Sequence, residues 1–182
     1  MSNDLTSGRV WVVDTVGIVT ERAIYLRRIV MIPNAANDAA NFVYWKGTDD
    51  TVSAGTLFNK TGTITSNSTL TSTGNLPSDV AAGYIFEITK SSGAAANVDK
   101  HLIATAGDTN AVIVTLADWT NEASKVYDWR TIKTYQAPYI KAGASDASPV
   151  TLDFGPECMR FPNLVLQSLS TSAKLYLYLD RG

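Results

Sequence analysis

The chain is poor in the residues that most often carry chemistry. Among 182 residues there is one cysteine, Cys158, and one histidine, His101. A lone cysteine excludes an intramolecular disulfide framework and any multi-cysteine metal site, and it suits a chain made in a reducing cytoplasm. A lone histidine excludes a metal held by several imidazoles, and any histidine-bearing triad has to use it. His101 opens an apolar stretch, HLIAT, with no acidic residue at a telling spacing, so a surface or strand-end position is expected. Charge is scarce as well: 18% of residues, with a net charge of −2. With no Lys/Arg run, neither nucleic acid nor an anionic membrane is an expected partner. Arg27-Arg28 is the densest basic spot, and in a regular strand the two side chains point to opposite faces. No apolar run approaches the ~20 residues of a membrane span, and the polar opening MSNDLTSGR lacks a signal-peptide pattern.

Chemical motifs are missing too. Neither G-x-x-x-x-G-K-[ST] nor G-x-G-x-x-G occurs, so phosphate cradling has no support. Asp49-Asp50 lacks the D-x-D-x-D-G loop of a calcium site and reads as a pair of turn acids. Asp14, Glu21, Glu87, Asp118, Glu122, Asp128, Asp153 and Glu157 are scattered, and no pair stands out for glycoside hydrolysis. The glycosylation patterns at Asn59 and Asn67 are chance matches in a Thr-rich chain. The expectation is a non-enzyme with no catalytic residues, no cofactor and no metal.

What the sequence does hold is period two. Strands are expected at 9–13, 24–32, 42–45, 84–89, 101–105, 111–116 and 150–154, separated by turn signals such as Pro33, Gly47-Thr48-Asp49-Asp50, Gly107-Asp108-Thr109-Asn110 and Gly155-Pro156. In the second strand Ile24, Leu26, Val30 and Ile32 are read as one face. TGTITSNSTLTST, residues 61–73, reads as a solvated hairpin that buries Ile64 and Leu70. Residues 118–129 are read as a short helix with poor apolar spacing. Elsewhere no 3.6-residue periodicity persists, so the class is all-β, a sandwich or barrel.

The clearest alternation closes the chain, in LVLQSLSTSAKLYLYLDRG. With a turn at Ser170–Ala173 the two strands form a hairpin in which Gln167 faces Tyr176 and Val165 faces Tyr178. Leu164, Leu166, Leu175, Leu177 and Leu179 then face the core. Gln167, Lys174, Tyr176 and Tyr178 form a semi-polar, aromatic face of the kind found at protein interfaces. This last strand is expected to lie near the start of the chain, since domain termini often sit close together. Of the tryptophans, Trp11 and Trp45 fall in core strands. Trp119 and Trp129, flanking the short helix, are read as exposed contact residues for protein or glycan.

GRVWVVDTVG with AIYLRRIVMIP at the start, and FPNLVLQSLSTSAKLYLYL at the end, resemble the two halves of small β-sandwich proteins found among the virion proteins of tailed bacteriophages. GTITSNSTLTSTG, AAGYIFEITKSSGAAANVDKHLIATAGDTNAVIVTL and TNEAS are similar to a small β module of phage tail and head proteins. Here Gly83-Tyr84 replaces the module's Gly-Asp, and Asn97-Val98-Asp99-Lys100-His101 stands in place of its Asn-Gly-Thr-Tyr. The resemblance implies a jelly-roll-like β-sandwich from residues 1–54 and 133–182, interrupted by a small β domain at 55–132. It implies a structural role in the virion, and the expected protein assembles as a symmetric homo-oligomer such as a trimer and binds other virion proteins, capsid or tail subunits. A capsid decoration or cement protein is the first expectation. A tail, neck or fibre component and a module recognising host glycans are the alternatives.

Overall fold

The computed structural model describes residues 9–47, 50–56, 61–74, 76, 80–106, 110–115 and 118–180. Thr48-Asp49 and Gly107-Asp108-Thr109, within two of the expected turns, lie outside the described residues. The described residues contain no α-helix. The strands are β1 Val10–Val13, β2 Gly17–Thr20, β3 Ile24–Ile32, β4 Ala39–Tyr44, β5 Thr51–Thr56, β6 Gly62–Thr65, β7 Thr69–Ser72, β8 Ile85–Ser91 and β9 Lys100–Ala106. They continue with β10 Ala111–Val114, β11 Glu122–Lys125, β12 Tyr127–Ile132, β13 Tyr135–Lys141, β14 Val150–Asp153, β15 Met159–Phe161, β16 Leu164–Leu169 and β17 Lys174–Leu179. The expected helix at 118–129 is thus replaced by β11 and the first half of β12. From Tyr127 the buried positions alternate, Tyr127, Trp129 and Thr131, and that is the period of a strand.

The chain divides into two compact units, Met1–Trp45 with Tyr135–Gly182, and Lys46–Thr134. The boundaries fall at 45/46 and 134/135 rather than 54/55 and 132/133. The reason is β5, which pairs with β12 from Thr56 opposite Asp128 to Thr51 opposite Ile132 and so belongs to the second unit's sheet.

The first unit is two sheets over one core. One runs β1-β17-β3-β14, with β15 also on β3, and the other runs β13-β4-β16-β2. Their shared core includes Val13, Leu26, Ile29, Met31, Leu175 and Leu177 from the first sheet and Val19, Phe42, Ile140, Leu164 and Leu166 from the second. The closing pair is therefore not a hairpin. β16 pairs with β2 and β4, while β17 pairs with β1 and β3, so the chain crosses between sheets at Ser170–Ala173. Ser170 anchors that crossing: its hydroxyl accepts from the Ala39 N–H at 2.9 Å, and its N–H donates to the Ala39 carbonyl at 2.9 Å. The leucines do face the core, but from opposite walls. Val165, expected outside, is fully buried opposite Val43.

In β3 the face assignment changes part-way. Leu26 and Ile29 are both fully buried with two residues between them, and the β3–β17 register shifts there, Leu26 facing Leu179 while Arg28 faces Tyr178. This is a β-bulge, one extra residue on one strand. Beyond it Ile29 and Met31 face the core in place of Val30 and Ile32. Arg27 and Arg28 consequently lie on the same outer face, not on opposite ones.

The second unit is one eight-stranded sheet, β11-β6-β7-β10-β9-β8-β12-β5. Ile64 and Leu70 oppose each other in the β6–β7 hairpin and are buried, while Ser66 and Asn67 at its tip take positive φ of 54° and 58°. Ile64 near one end of the strand order and Trp129 near the other share a single core with Phe86, Ile88, Val112 and Trp119, so the sheet curls around its apolar face.

The second unit leaves and rejoins the first next to one antiparallel pair, Tyr44 opposite Tyr135. A hairpin-length loop spans such a pair. Replacing residues 46–134 by four Gly/Asn/Ser residues is expected to leave a soluble, β-rich protein with one cooperative thermal transition by circular dichroism. An unfolded or aggregated product would show that the second unit is integral to the first.

Candidate functional site

Side chains that could do chemistry are spread apart, and those that meet are occupied structurally. Among the described residues no group of three or more His, Cys, Asp or Glu is placed to hold a metal ion. Glu87 on β8 bonds the Arg130 guanidinium on β12 and lies 3.6 Å from the Lys100 ammonium on β9, an ion pair across three adjacent strands. Cys158 Sγ sits 3.3 Å from an Asp180 carboxylate oxygen. Local desolvation and that carboxylate push the thiol up, so it stays protonated and is a poor nucleophile.

Glu122 is the hub of the most connected cluster. Its carboxylate accepts from the Ala94 N–H at 2.7 Å, the Asn97 amide at 2.7 Å and the Tyr127 hydroxyl at 2.8 Å. Asn97, fully buried at the end of the 3₁₀ turn Ala95–Asn97, also brackets Thr120, accepting from its N–H at 2.7 Å and donating to its carbonyl at 3.0 Å. Desolvation raises the Glu122 carboxyl, but those donors and the Lys125 charge together hold it below its usual value. Burial, then the bond to Glu122, pushes the Tyr127 hydroxyl up. A carboxylate this fully engaged is a staple, not a general base.

The expected contact residues separate. Trp119 and Trp129 are 1% and 4% exposed. Phe86 stacks on Trp129 with centroids 5.5 Å apart and meets Trp119 edge-on at 6.3 Å. Both indoles are core filling, so they form neither a protein contact surface nor a sugar platform. His101, expected at the surface or at a strand end, is the second residue of β9, but it is 4% exposed because it lies on the inner face of that strand opposite Phe86. Gln167 lies on β16, where it accepts from the Asn41 amide at 2.7 Å, and it shares no sheet with Tyr176.

Lys174, Tyr176 and Tyr178 do stand together, on the outer face of the β1-β17-β3-β14 sheet. Registers align the rows across it. Val10, Tyr178, Arg28 and Asp153 form one; Val12, Tyr176, Val30 and Thr151 form the next; Lys174 and Ile32 begin a third. The Arg28 guanidinium lies over the Tyr178 ring, 4.4 Å from its centroid. Ile32 is 39% exposed, and the two tyrosines and Val30 are half-buried. Polar ends thus flank an apolar and aromatic strip, and β17 is its middle strand. The bulge that brings Arg28 onto this face is the signal that strict period-two reading misses.

No family model, no curated protein and no solved structure matches this chain. The geometry of the outer face and the engaged state of the carboxylates therefore bear the functional reading.

Gly93 tests the staple. A Cβ there would lie 2.0 Å from Glu122 Oε2, so Gly93→Ala is expected to expel the carboxylate from its donors. Gly93→Ala and Glu122→Ala are each expected to cost about 2–3 kcal/mol in urea denaturation, the scale for losing bonds to a charged acceptor. Because the folded carboxyl lies below 4.5, its contribution is present above that value and is lost as pH falls through the folded one. Glu122→Gln is expected to flatten the stability–pH curve below 4.5. An unchanged curve would show that Glu122 contributes nothing to folding.

Proposed function

We propose that this chain is a non-enzymatic structural protein that works by burying surface against other subunits, and that its setting is a phage virion, as a capsid decoration (cement) or head-surface protein. The observation that carries the contact role is the outer face of the five-stranded sheet. Tyr176, Val30 and Val12 lie side by side there, flanked by Arg28, Lys174 and Asp153. Aromatic and apolar residues at the centre with charge at the rim match the composition of protein interfaces. The virion setting rests on the resemblance of the opening and closing strands to phage sandwich proteins, and within it the first unit is read as jelly-roll-like. Docking would add interface area to the shell, and a symmetric homo-oligomer would present several such faces at once.

Tyr176→Glu places a charge at the centre of this strip without touching the core. It is expected to lower co-sedimentation with empty capsids of the parent phage at least tenfold, with the circular dichroism spectrum unchanged. Wild-type protein that stays monomeric in analytical ultracentrifugation and does not co-sediment would overturn the proposal. So would a variant that binds as well as wild type. Labelled protein seen at the tail or neck of intact particles would keep the contact role and move its place.

A further inference from the structure

The only histidine of the chain occupies an unusual site in the second unit. His101 is 4% exposed. Its Nδ1 lies 3.4 Å from a carboxylate oxygen of Asp118, whose side chain is 56% exposed. Among the described residues its Nε2 has no hydrogen-bond partner, and neither does the Nε1 of Trp119, against which the imidazole packs edge-on with centroids 4.8 Å apart. The carboxylate beside Nδ1 favours the tautomer that carries its proton there. A second proton would have to go on Nε2, the buried atom with nothing to receive it.

Residues 118–121 lie across this pair as a strap. It is tied at three points: the Trp119 N–H donates to the Asn67 carbonyl at 2.9 Å, Asn97 brackets Thr120, and the Asn121 side chain accepts from the Asn67 N–H at 2.8 Å. We propose that His101 and this strap form an acid-sensitive latch, closed while the imidazole is neutral and opening to expose Trp119 when the ring takes up its second proton. Opening gives water to both Nε2 and the Trp119 indole N–H, so two unsatisfied buried groups are relieved in one step.

The charges around the ring set the direction. Asp118 on the strap and Asp99 just before β9 both favour the protonated form. Phe86, the facing residue on β8, carries no charge, and neighbouring Lys100 pairs with Glu87 on the opposite face of the sheet. Burial outweighs the two carboxylates and lowers the imidazole from its usual 6.5. The sign follows: a proton bound more weakly in the closed state leaves that state intact above 6.5. Below 6.5 the open-to-closed ratio rises by about tenfold per pH unit until the lowered value is reached. The Glu122 carboxyl is held below its usual 4.5, so the staple at the other end of the strap stays charged while the pH falls from 6.5 to 4.5.

Because there is one histidine, its ring resonance in the intact protein is unambiguous. With 5-fluorotryptophan incorporated and Trp119 assigned through Trp119→Phe, proton and fluorine spectra are recorded from pH 7.5 to 4.5. The expected result is a His101 midpoint below 6.5, with the Trp119 fluorine signal moving toward the solvent-exposed shift at the same midpoint. Trp11 and Trp45 are expected to stay still. His101→Phe keeps the ring volume and is expected to abolish the Trp119 movement. A His101 midpoint at or above 6.5, a Trp119 signal that does not follow it, or movement that persists in His101→Phe would each overturn the latch. Should His101→Phe fail to fold, the paired midpoints in wild-type protein still decide.

Discussion

Everything in this chain depends on the antiparallel pairing of β4 with β13, entered from Tyr44 and re-entered at Tyr135. The tyrosine rings pack with centroids 5.8 Å apart, and Tyr44 meets Phe161 of the core edge-on at 5.9 Å. One residue further on, the buried Asn163 side chain holds both backbone groups of Trp45, accepting from its N–H at 2.9 Å and donating to its carbonyl at 2.7 Å. Buried backbone groups must find partners, and at the point of exit no strand continues to supply them. Asn163 supplies them instead. The 89 residues from Lys46 to Thr134 therefore leave from a pinned end, and the strand pairings of the first unit are all made within that unit.

That independence explains the position of the strongest strand signal. β17 lies between β1 and β3 and is an interior strand of its sheet. Until it is made, β1 has no partner in that sheet and β3 has only β14 and β15. Its leucines close the core: Leu175 and Leu177 are fully buried, and truncating either to alanine falls in the class that costs roughly 2–5 kcal/mol. The same alternation that sends leucines inward sends Lys174, Tyr176 and Tyr178 outward. Core closure and surface chemistry are two faces of one strand.

The period-two pattern made the class and most strands legible, and it named the inward leucines correctly. It could not name partners. A hairpin and a crossing between two sheets impose the same alternation on LVLQSL and KLYLYL, because either way one face of each strand meets the core. What decides between them is the non-local pairing of β16 with β4 and of β17 with β1, which no local window contains. The bulge at Arg27-Arg28 was hidden for a different reason. A single extra residue inverts the phase of everything after it, and here the inverted set, Ile29 and Met31, is as apolar as Val30 and Ile32. Trp119 and Trp129 were misplaced because a strand preceded by a polar, hydrogen-bonded strap has no strong local signature. Their burial follows from Phe86 and the curl of the sheet.

The two units differ in how completely they satisfy their buried polar groups. In the first unit Asn163, the buried polar side chain, makes two bonds. Among the described residues, the four buried side-chain atoms without a partner, on His101, Trp119, Trp129 and Thr131, fall in the second unit. Each such atom costs about 1–3 kcal/mol relative to a satisfied group, so the closed state of the second unit sits closer in energy to any state that admits water. Glu122 and Asn97 work against that tendency at one end of the strap, and His101 concentrates it at the other. The unspent hydrogen-bonding capacity of the curled sheet is what the latch proposed for His101 draws on.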